Sequence, residues 1–437
     1  MTSSTIAAIA TGPSPGGIGV VRLSGPAALE ASRRVAAALP SSPLPRHAYF
    51  TRFTDAEGRV LDEGLALYFA APASFTGEDV VELQAHGAPR LLALLLDAVL
   101  RQDGVRLAGP GEFTRRAFLN GRVDLARAEA VADLIAAESE AQVRAAAAQV
   151  SGQLSARLAA LRQPLVALHA DLEGLLDFPD EAEGADVGLS ERLAAARADV
   201  DGLLGDGRAG ALIRRGARVV LYGPVNAGKS TLFNRLVGAA RALVDPEPGT
   251  TRDALEARVE LSGLAVTLVD TAGLRNDPGR LEALGIERAR EALRGADVAV
   301  LLIPPDASPD AVAAWRAEAP AAARLEVFSK ADLRVAGGEG LSVSGETGLG
   351  VGALSAALAA RLGGVQGAVH ASSERHLDAL RRASEALERA HVAATASTLE
   401  VVSGELGLAL TALADITGED VSTELIDAVF SRFCIGK

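Results

Sequence analysis

Gly223-Pro224-Val225-Asn226-Ala227-Gly228-Lys229-Ser230 constrains the fold more than any other stretch, because an apolar run, Arg218 to Tyr222, leads into it and a helix-like segment follows. A strand that feeds a glycine-rich turn opening a helix converges backbone N–H groups on one point, and the helix adds its positive N-terminal end. That is a phosphate cradle. In this pattern Lys229 reaches the β- and γ-phosphates, and the Ser230 hydroxyl holds Mg²⁺.

Length predicts about three domains with ample core for each. The net charge of -13 argues against a broad polyanion-binding surface, since nucleic-acid affinity comes largely from Lys and Arg neutralising phosphates. Cys434 is the single cysteine, which excludes an internal disulfide and fits a reducing cytoplasm. The longest apolar run, Leu91 to Leu100, is broken by Asp97, so no membrane span is expected. Lysine is scarce: Lys229, Lys330 and Lys437 are the only three among 43 basic residues. Such a bias keeps lysine where a compact ammonium cannot be exchanged for a planar guanidinium.

The pattern predicts a multidomain α/β protein. Residues 1–118 alternate strand-like runs (Thr5 to Ala10, Ile18 to Leu23, Gly64 to Phe69, Val80 to Leu83) with a helix over Pro89 to Leu100. The Gly12 to Gly19 segment lacks a Gly-Lys-Ser ending and opens a strand, so it reads as a turn with close backbone approach. Residues 119–213 form a first helical part, whose Leu154, Leu158, Leu161, Leu165, Leu168, Leu172 and Leu175 make a packing seam. Pro164 is expected to kink or interrupt it. A further helix is predicted over Ser190 to Leu204. Helical composition returns in residues 366–437, so the α/β stretch 214–365 reads as an insertion into a discontinuous helical domain. Its strands, Arg218 to Tyr222, Leu264 to Val269, Asp297 to Ile303, Arg324 to Phe328 and Leu341 to Val343, predict a parallel sheet with helices on both faces.

Further motifs fall at the ends of those strands. Gly249-Thr250-Thr251 offers hydroxyls that close over a γ-phosphate, with Thr251 a second Mg²⁺ ligand. Asp270-Thr271-Ala272-Gly273 supplies a carboxylate for the magnesium shell and the Gly273 N–H for the γ-phosphate. Asp332, in Ser329-Lys330-Ala331-Asp332, is placed to accept the N1–H and 2-amino hydrogens of guanine, and Ser344-Gly345 offers N–H groups to its O6. With Asn226, Ala227, Gly228, Lys229, Ser230 and Thr231, these make a GTP or GDP site.

On these motifs the chain resembles the MnmE (TrmE) family of tRNA uridine-modification GTPases over nearly its full length. The resemblance extends to Ile6 to Thr11, Phe75 to Gly87, Pro110 to Phe113, Arg116 to Asn120, Phe178 to Glu181 and the tail Phe433-Cys434-Ile435-Gly436-Lys437. It implies an N-terminal tetrahydrofolate-binding and dimerisation domain, a discontinuous all-α domain and a Ras-like P-loop GTPase domain. Two departures stand out: Ser329 where the family usually has Asn, and Gly345 where it has Ala, the latter expected to matter little.

Leu274 occupies the position where many small GTPases carry a water-orienting Gln, and an apolar side chain cannot do that work. The resemblance implies instead K⁺ at Asn226, Asp245, Glu247 and Thr250, bound when two G domains meet, with Asp245 also counted in the GTP site. It implies Glu282 as the water-positioning carboxylate beside the catalytic Lys229. Carried over by position, Arg22, Glu82, Arg122 and Lys437 match folate contacts, and Cys434 is a nucleophile candidate or simply a small residue near the terminus. Implied partners are a second copy, tRNA, and MnmG (GidA), an FAD-dependent enzyme, in adding an aminomethyl or carboxymethylaminomethyl group to C5 of the wobble uridine. A rival reading is an Era-like regulatory GTPase of ribosome assembly. It predicts an attached RNA-binding module, basic, aromatic-bearing or built on a GXXG loop, and no such module is read from the sequence.

Overall fold

The computed structural model describes residues 4–177, 188–242, 256–271, 282–333, 340–362, 373–395, 399–419 and 421–436. Two compact units emerge: residues 1–132 with 414–437, and residues 133–413.

In the first unit, β1 (Thr5–Ile9), β2 (Gly16–Ser24), β3 (Ala48–Thr54), β4 (Val60–Phe69), β5 (Val80–Gly87) and β6 (Val105–Leu107) form one sheet, ordered β3-β4-β5-β2-β1-β6. Alternation along these strands sends Ala7, Val21, Leu23, Val81 and Leu83 to one face, where α1 (Ala28–Val35) and α2 (Pro89–Leu100) cover them. The other face buries Ile6 and Ala8 against Phe113 of α3 (Glu112–Leu119). β2 begins within the Gly12 to Gly19 segment, and Gly16 pairs with Gly87 as a strand residue. After α4 (Leu125–Ala136), the chain returns to this unit only at its end. Phe430 of α14 (Thr423–Phe430) and Phe433 pack with Leu125 and Phe118, and Ile435 bridges to Pro110.

The second unit contains α5 (Glu140–Val150), α6 (Gln153–Asp177) and α7 (Leu189–Arg215). α6 continues through Pro164, so of the two outcomes expected there, a kink or an interruption, the interruption does not occur. Leu158, Leu165 and Leu168 are buried on one side while Pro164 is exposed, so the missing N–H bond falls on the water-facing side. α12 (Glu374–Thr395) lies along α7, with Ser384 Oγ donating to Asp201 at 2.6 Å and His391 Nδ1 3.1 Å from Ser190 Oγ. The alanines at 379, 383, 386 and 390 let the helices approach closely. α13 (Leu399–Thr417) follows.

Between α7 and α12 lies a seven-stranded sheet ordered β13-β12-β11-β7-β10-β9-β8, made of β7 (Ala217–Tyr222), β8 (Arg241–Ala242), β9 (Glu256–Leu261), β10 (Leu264–Asp270), β11 (Val298–Ile303), β12 (Arg324–Phe328) and β13 (Leu341–Ser342). Five strands are parallel, as expected, but β9 runs antiparallel to β10 and β8 antiparallel to β9. The helices α8 (Lys229–Ala239), α9 (Glu282–Arg294), α10 (Pro309–Arg316) and α11 (Val351–Arg361) connect them. Ala141 of α5 and Ile213 of α7 belong to this sheet's core, and Ala141 N–H donates to the Gly263 carbonyl at the β9–β10 turn at 3.1 Å. α5 and α7 thus share a core with this sheet.

Candidate functional site

Tyr222 ends β7 fully buried, and the chain turns at Gly223 with φ 139. A Cβ there would lie 2.6 Å from the Leu302 carbonyl, so only glycine allows the loop to leave between β7 and β11. Asn226 follows in the left-handed region with φ 62, and Gly228, φ 88, precedes α8. Lys229 opens that helix, 6% exposed, with its ammonium donating to the carbonyls of Gly223 at 3.0 Å and Pro224 at 2.6 Å. The cation thus lies inside the ring of the loop. Ser230 Oγ donates to Asp270 Oδ2 at 2.5 Å, and Thr271 Oγ1 to the Leu221 carbonyl at 2.9 Å. A serine hydroxyl beside a buried carboxylate at a helix N-terminus is an oxygen donor set that suits Mg²⁺.

A cavity of about 300 Å³ joins this loop to the base-reading motifs. Ala227, Gly228 and Thr231 line it on the phosphate side, and Lys330, Asp332 and Gly345 on the other. Lys330 has φ 56, and the Ala331 N–H is held by the Val343 carbonyl at 3.0 Å. Asp332 is exposed at the cavity, and Ser344 is buried with its Oγ accepting from the Thr347 N–H at 3.1 Å. Ser329 is 5% exposed, and among the described residues its hydroxyl has no hydrogen-bond partner. Its shorter side chain therefore makes no brace for the loop. Gly345 is more consequential than the sequence suggests: a Cβ there would come within 2.8 Å of Leu232 N and 2.9 Å of Thr231 C. Alanine at this position would have to push the loop away from α8.

Of the remaining sequence-derived residues, Asp245, Glu247, Gly249, Thr250, Thr251, Ala272, Gly273, Leu274 and Lys437 lie outside the described residues. Glu282 opens α9, and its side chain lies outside them as well.

In the first unit Arg22 and Glu82 are cross-strand partners on β2 and β5, 2.8 Å apart, with the Arg22 guanidinium 5.8 Å from the centre of the Phe113 ring. Phe113 itself is fully buried, so the surface here offers a guanidinium and a carboxylate, a paired donor and acceptor that suit a polar ligand. The stem of Arg122 lies over Gly77, and Cys434 is exposed, its carbonyl accepting from the Gly111 N–H at 3.3 Å.

Sequence reasoning missed the network beneath this surface. Arg116, 4% exposed, donates to both Glu78 oxygens at 3.1 and 2.9 Å, to Glu112 at 3.0 Å and to the Ser4 carbonyl at 3.0 Å. Burial works to raise the Glu112 pKa, but bonds from Arg106, the Gly109 N–H and Arg116 outweigh it and hold the carboxyl at about 2. The spacing of Glu112 and Arg116, one helical turn, was the available signal. Because the folded pKa is depressed, this carboxylate stabilises the fold above its ordinary pKa near 4.5, and the contribution is lost as pH falls toward 2. Glu112→Gln is expected to lower the first calorimetric unfolding transition at pH 7 and to leave it much closer to wild type at pH 2.5. Equal shifts at both pH values would refute the assignment.

Two family models match the chain: the GTP-binding protein TrmE N-terminus over residues 5–122 and the MnmE helical domain over residues 125–434. The tRNA modification GTPase MnmE of Myxococcus xanthus (strain DK1622) is 63% identical over 442 residues, covering 100% of both chains. The chain belongs to the MnmE family. A second MnmE, from Azoarcus sp. (strain BH72), is 47% identical, with 99% of this chain and 98% of that one covered. Among solved structures, the G domain of the T. maritima FeoB iron transporter is 20% identical over 33% of this chain and 98% of its own, with a TM-score of 0.24, too low to bear on the fold. Among the described residues, no helix is long and apolar enough to cross a membrane.

Proposed function

We propose that this chain is a K⁺-stimulated GTPase of tRNA modification. With an FAD-dependent partner of the MnmG type, it adds an aminomethyl or carboxymethylaminomethyl group to C5 of the wobble uridine of certain tRNAs in the cytoplasm. The observation that carries the GTPase reading is the cavity with phosphate-loop residues on one wall and Lys330, Asp332 and Gly345 on the other. The tRNA chemistry and the partner are supported by full-length similarity to proteins named tRNA modification GTPase.

In this reading Lys229 neutralises charge between the β- and γ-phosphates, and Ser230, supported by Asp270 and joined by Thr251, holds Mg²⁺, which spreads the charge of the transferring phosphoryl group when bound. Asp332 accepts from the guanine N1–H and 2-amino group, while Gly345 offers its N–H to O6. Glu282 orients the attacking water in place of the side chain that Leu274 cannot provide. Asn226, with Asp245, Glu247 and Thr250, holds K⁺ where two G domains meet face to face. Arg22, Glu82, Arg122 and Lys437 hold a tetrahydrofolate derivative in an N-terminal domain that dimerises, and the acidic chain leaves most tRNA contact to its partner. Domain limits of 1–118, 119–213, 214–365 and 366–437 complete the proposal, and Cys434 is its least supported catalytic candidate.

Nucleoside analysis of tRNA from a strain lacking this protein tests the reading: wobble uridines should lose the C5 substituent, and an unchanged profile would sink it. Hydrolysis in KCl should exceed that in NaCl. Asn226→Ala should keep nucleotide affinity while losing most of that stimulation, and full K⁺ stimulation in the variant would remove Asn226 from the ion site.

A further inference from the structure

The base-reading loop carries little of its own anchorage. Its internal bonds, from the Ser344 N–H to the Leu349 carbonyl at 2.9 Å and from the Gly348 N–H to the Ser344 carbonyl at 3.0 Å, close it on itself without tying it to the phosphate side. Its central residue is glycine, which has the widest conformational freedom of any residue. A nucleotide nevertheless has a fixed length, so the base groups and the phosphate loop must be held at a set separation for both ends to bind together.

One side chain spans that gap. Arg235, on the second turn of α8, donates Nε–H to the Gly345 carbonyl at 2.8 Å and Nη2–H to the Glu346 carbonyl. On its other side Gly345 lies flat against the first turn of the same helix, where a Cβ would meet Leu232 N and Thr231 C. The loop is therefore gripped from two directions by the helix that begins at Lys229. Arginine suits the task because its planar fork satisfies two neighbouring carbonyls at once, which an ammonium on a flexible stem does not.

We propose that Arg235, together with the bare backbone at Gly345, is the positioning device of the guanine site: it fixes the 344–346 peptides so that their N–H groups meet the 6-oxygen of the base. Arg235 does not touch the nucleotide. The inference rests on the guanine-nucleotide reading above and deepens it.

The test uses the full-length protein and three triphosphates: GTP, ITP, which keeps the 6-oxygen but lacks the 2-amino group, and 2-aminopurine riboside triphosphate, which lacks both the 6-oxygen and the N1–H. Losing two charge-assisted bonds made by an exposed side chain should weaken binding several-fold. Arg235→Ala is expected to raise KM for GTP and for ITP by that common factor with kcat held within about twofold, and to leave competition by the 2-aminopurine nucleotide unchanged. Arg235→Lys should recover only part of the loss. An unchanged KM for GTP overturns the proposal, and so does an equal loss for all three nucleotides or a loss carried in kcat. If wild-type protein fails to prefer GTP over ATP, the underlying guanine reading fails instead.

Discussion

Replacing Asp332 with asparagine is expected to turn the protein from a guanine to a xanthine nucleotide hydrolase. The carboxylate is an acceptor for two donors, the guanine N1–H and 2-amino group, and it stands at the cavity wall opposite the phosphate loop. A carboxamide sets an N–H donor against the 2-amino donor, which costs affinity, but that donor complements the 2-oxygen of xanthine. Sites built on such paired hydrogen bonds reject a mismatched partner strongly, so kcat/KM for GTP should fall about 10²-fold or more while that for XTP rises. Comparing the two triphosphates in wild type and variant is sufficient. An unchanged preference would show that Asp332 does not read the base.

Lys229→Ala should have the second large effect. The ammonium is buried at the centre of the loop and bonded to two of its carbonyls, so its removal takes away the positive charge nearest the transferring phosphoryl group. Preorganised charges of this kind are worth about 10²–10³ in rate each, and single-turnover GTP hydrolysis should slow by that amount. Lys229→Arg should not rescue it, because a planar fork cannot enter a ring sized for an ammonium. Hydrolysis in Lys229→Ala within a few-fold of wild type would argue that the chemistry occurs elsewhere.

Local motifs were the readable part of this chain. The strand, loop and helix around Lys229 keep their chemistry within a dozen consecutive residues, and Asp270, Lys330 and Asp332 each follow an apolar strand. β9 was missed because Glu256, Arg258 and Glu260 alternate with Ala257, Val259 and Leu261, the mark of a half-exposed strand rather than a continuous apolar run. β3 escaped for a similar reason, its Thr51 and Phe53 turning inward between exposed neighbours. Arg116 reads as one more arginine, since its partner Glu78 is 38 residues away. Arg235 is harder still to find: its partners are backbone carbonyls, which any residue would supply. Pro164 misled because a helix tolerates proline where the lost bond faces water, and only the folded environment reveals which side that is.

The return of residues 414–437 to the unit that holds residues 1–132 bears on biosynthesis. At about 5–20 residues per second, ribosomes need roughly 15–60 s to make the intervening and final segments. Through that interval the apolar surfaces of Leu125 and Phe118 that Phe430 and Phe433 later cover have no native mate. The first part of the chain to emerge is thus among the last to be finished, and chaperone dependence should concentrate there.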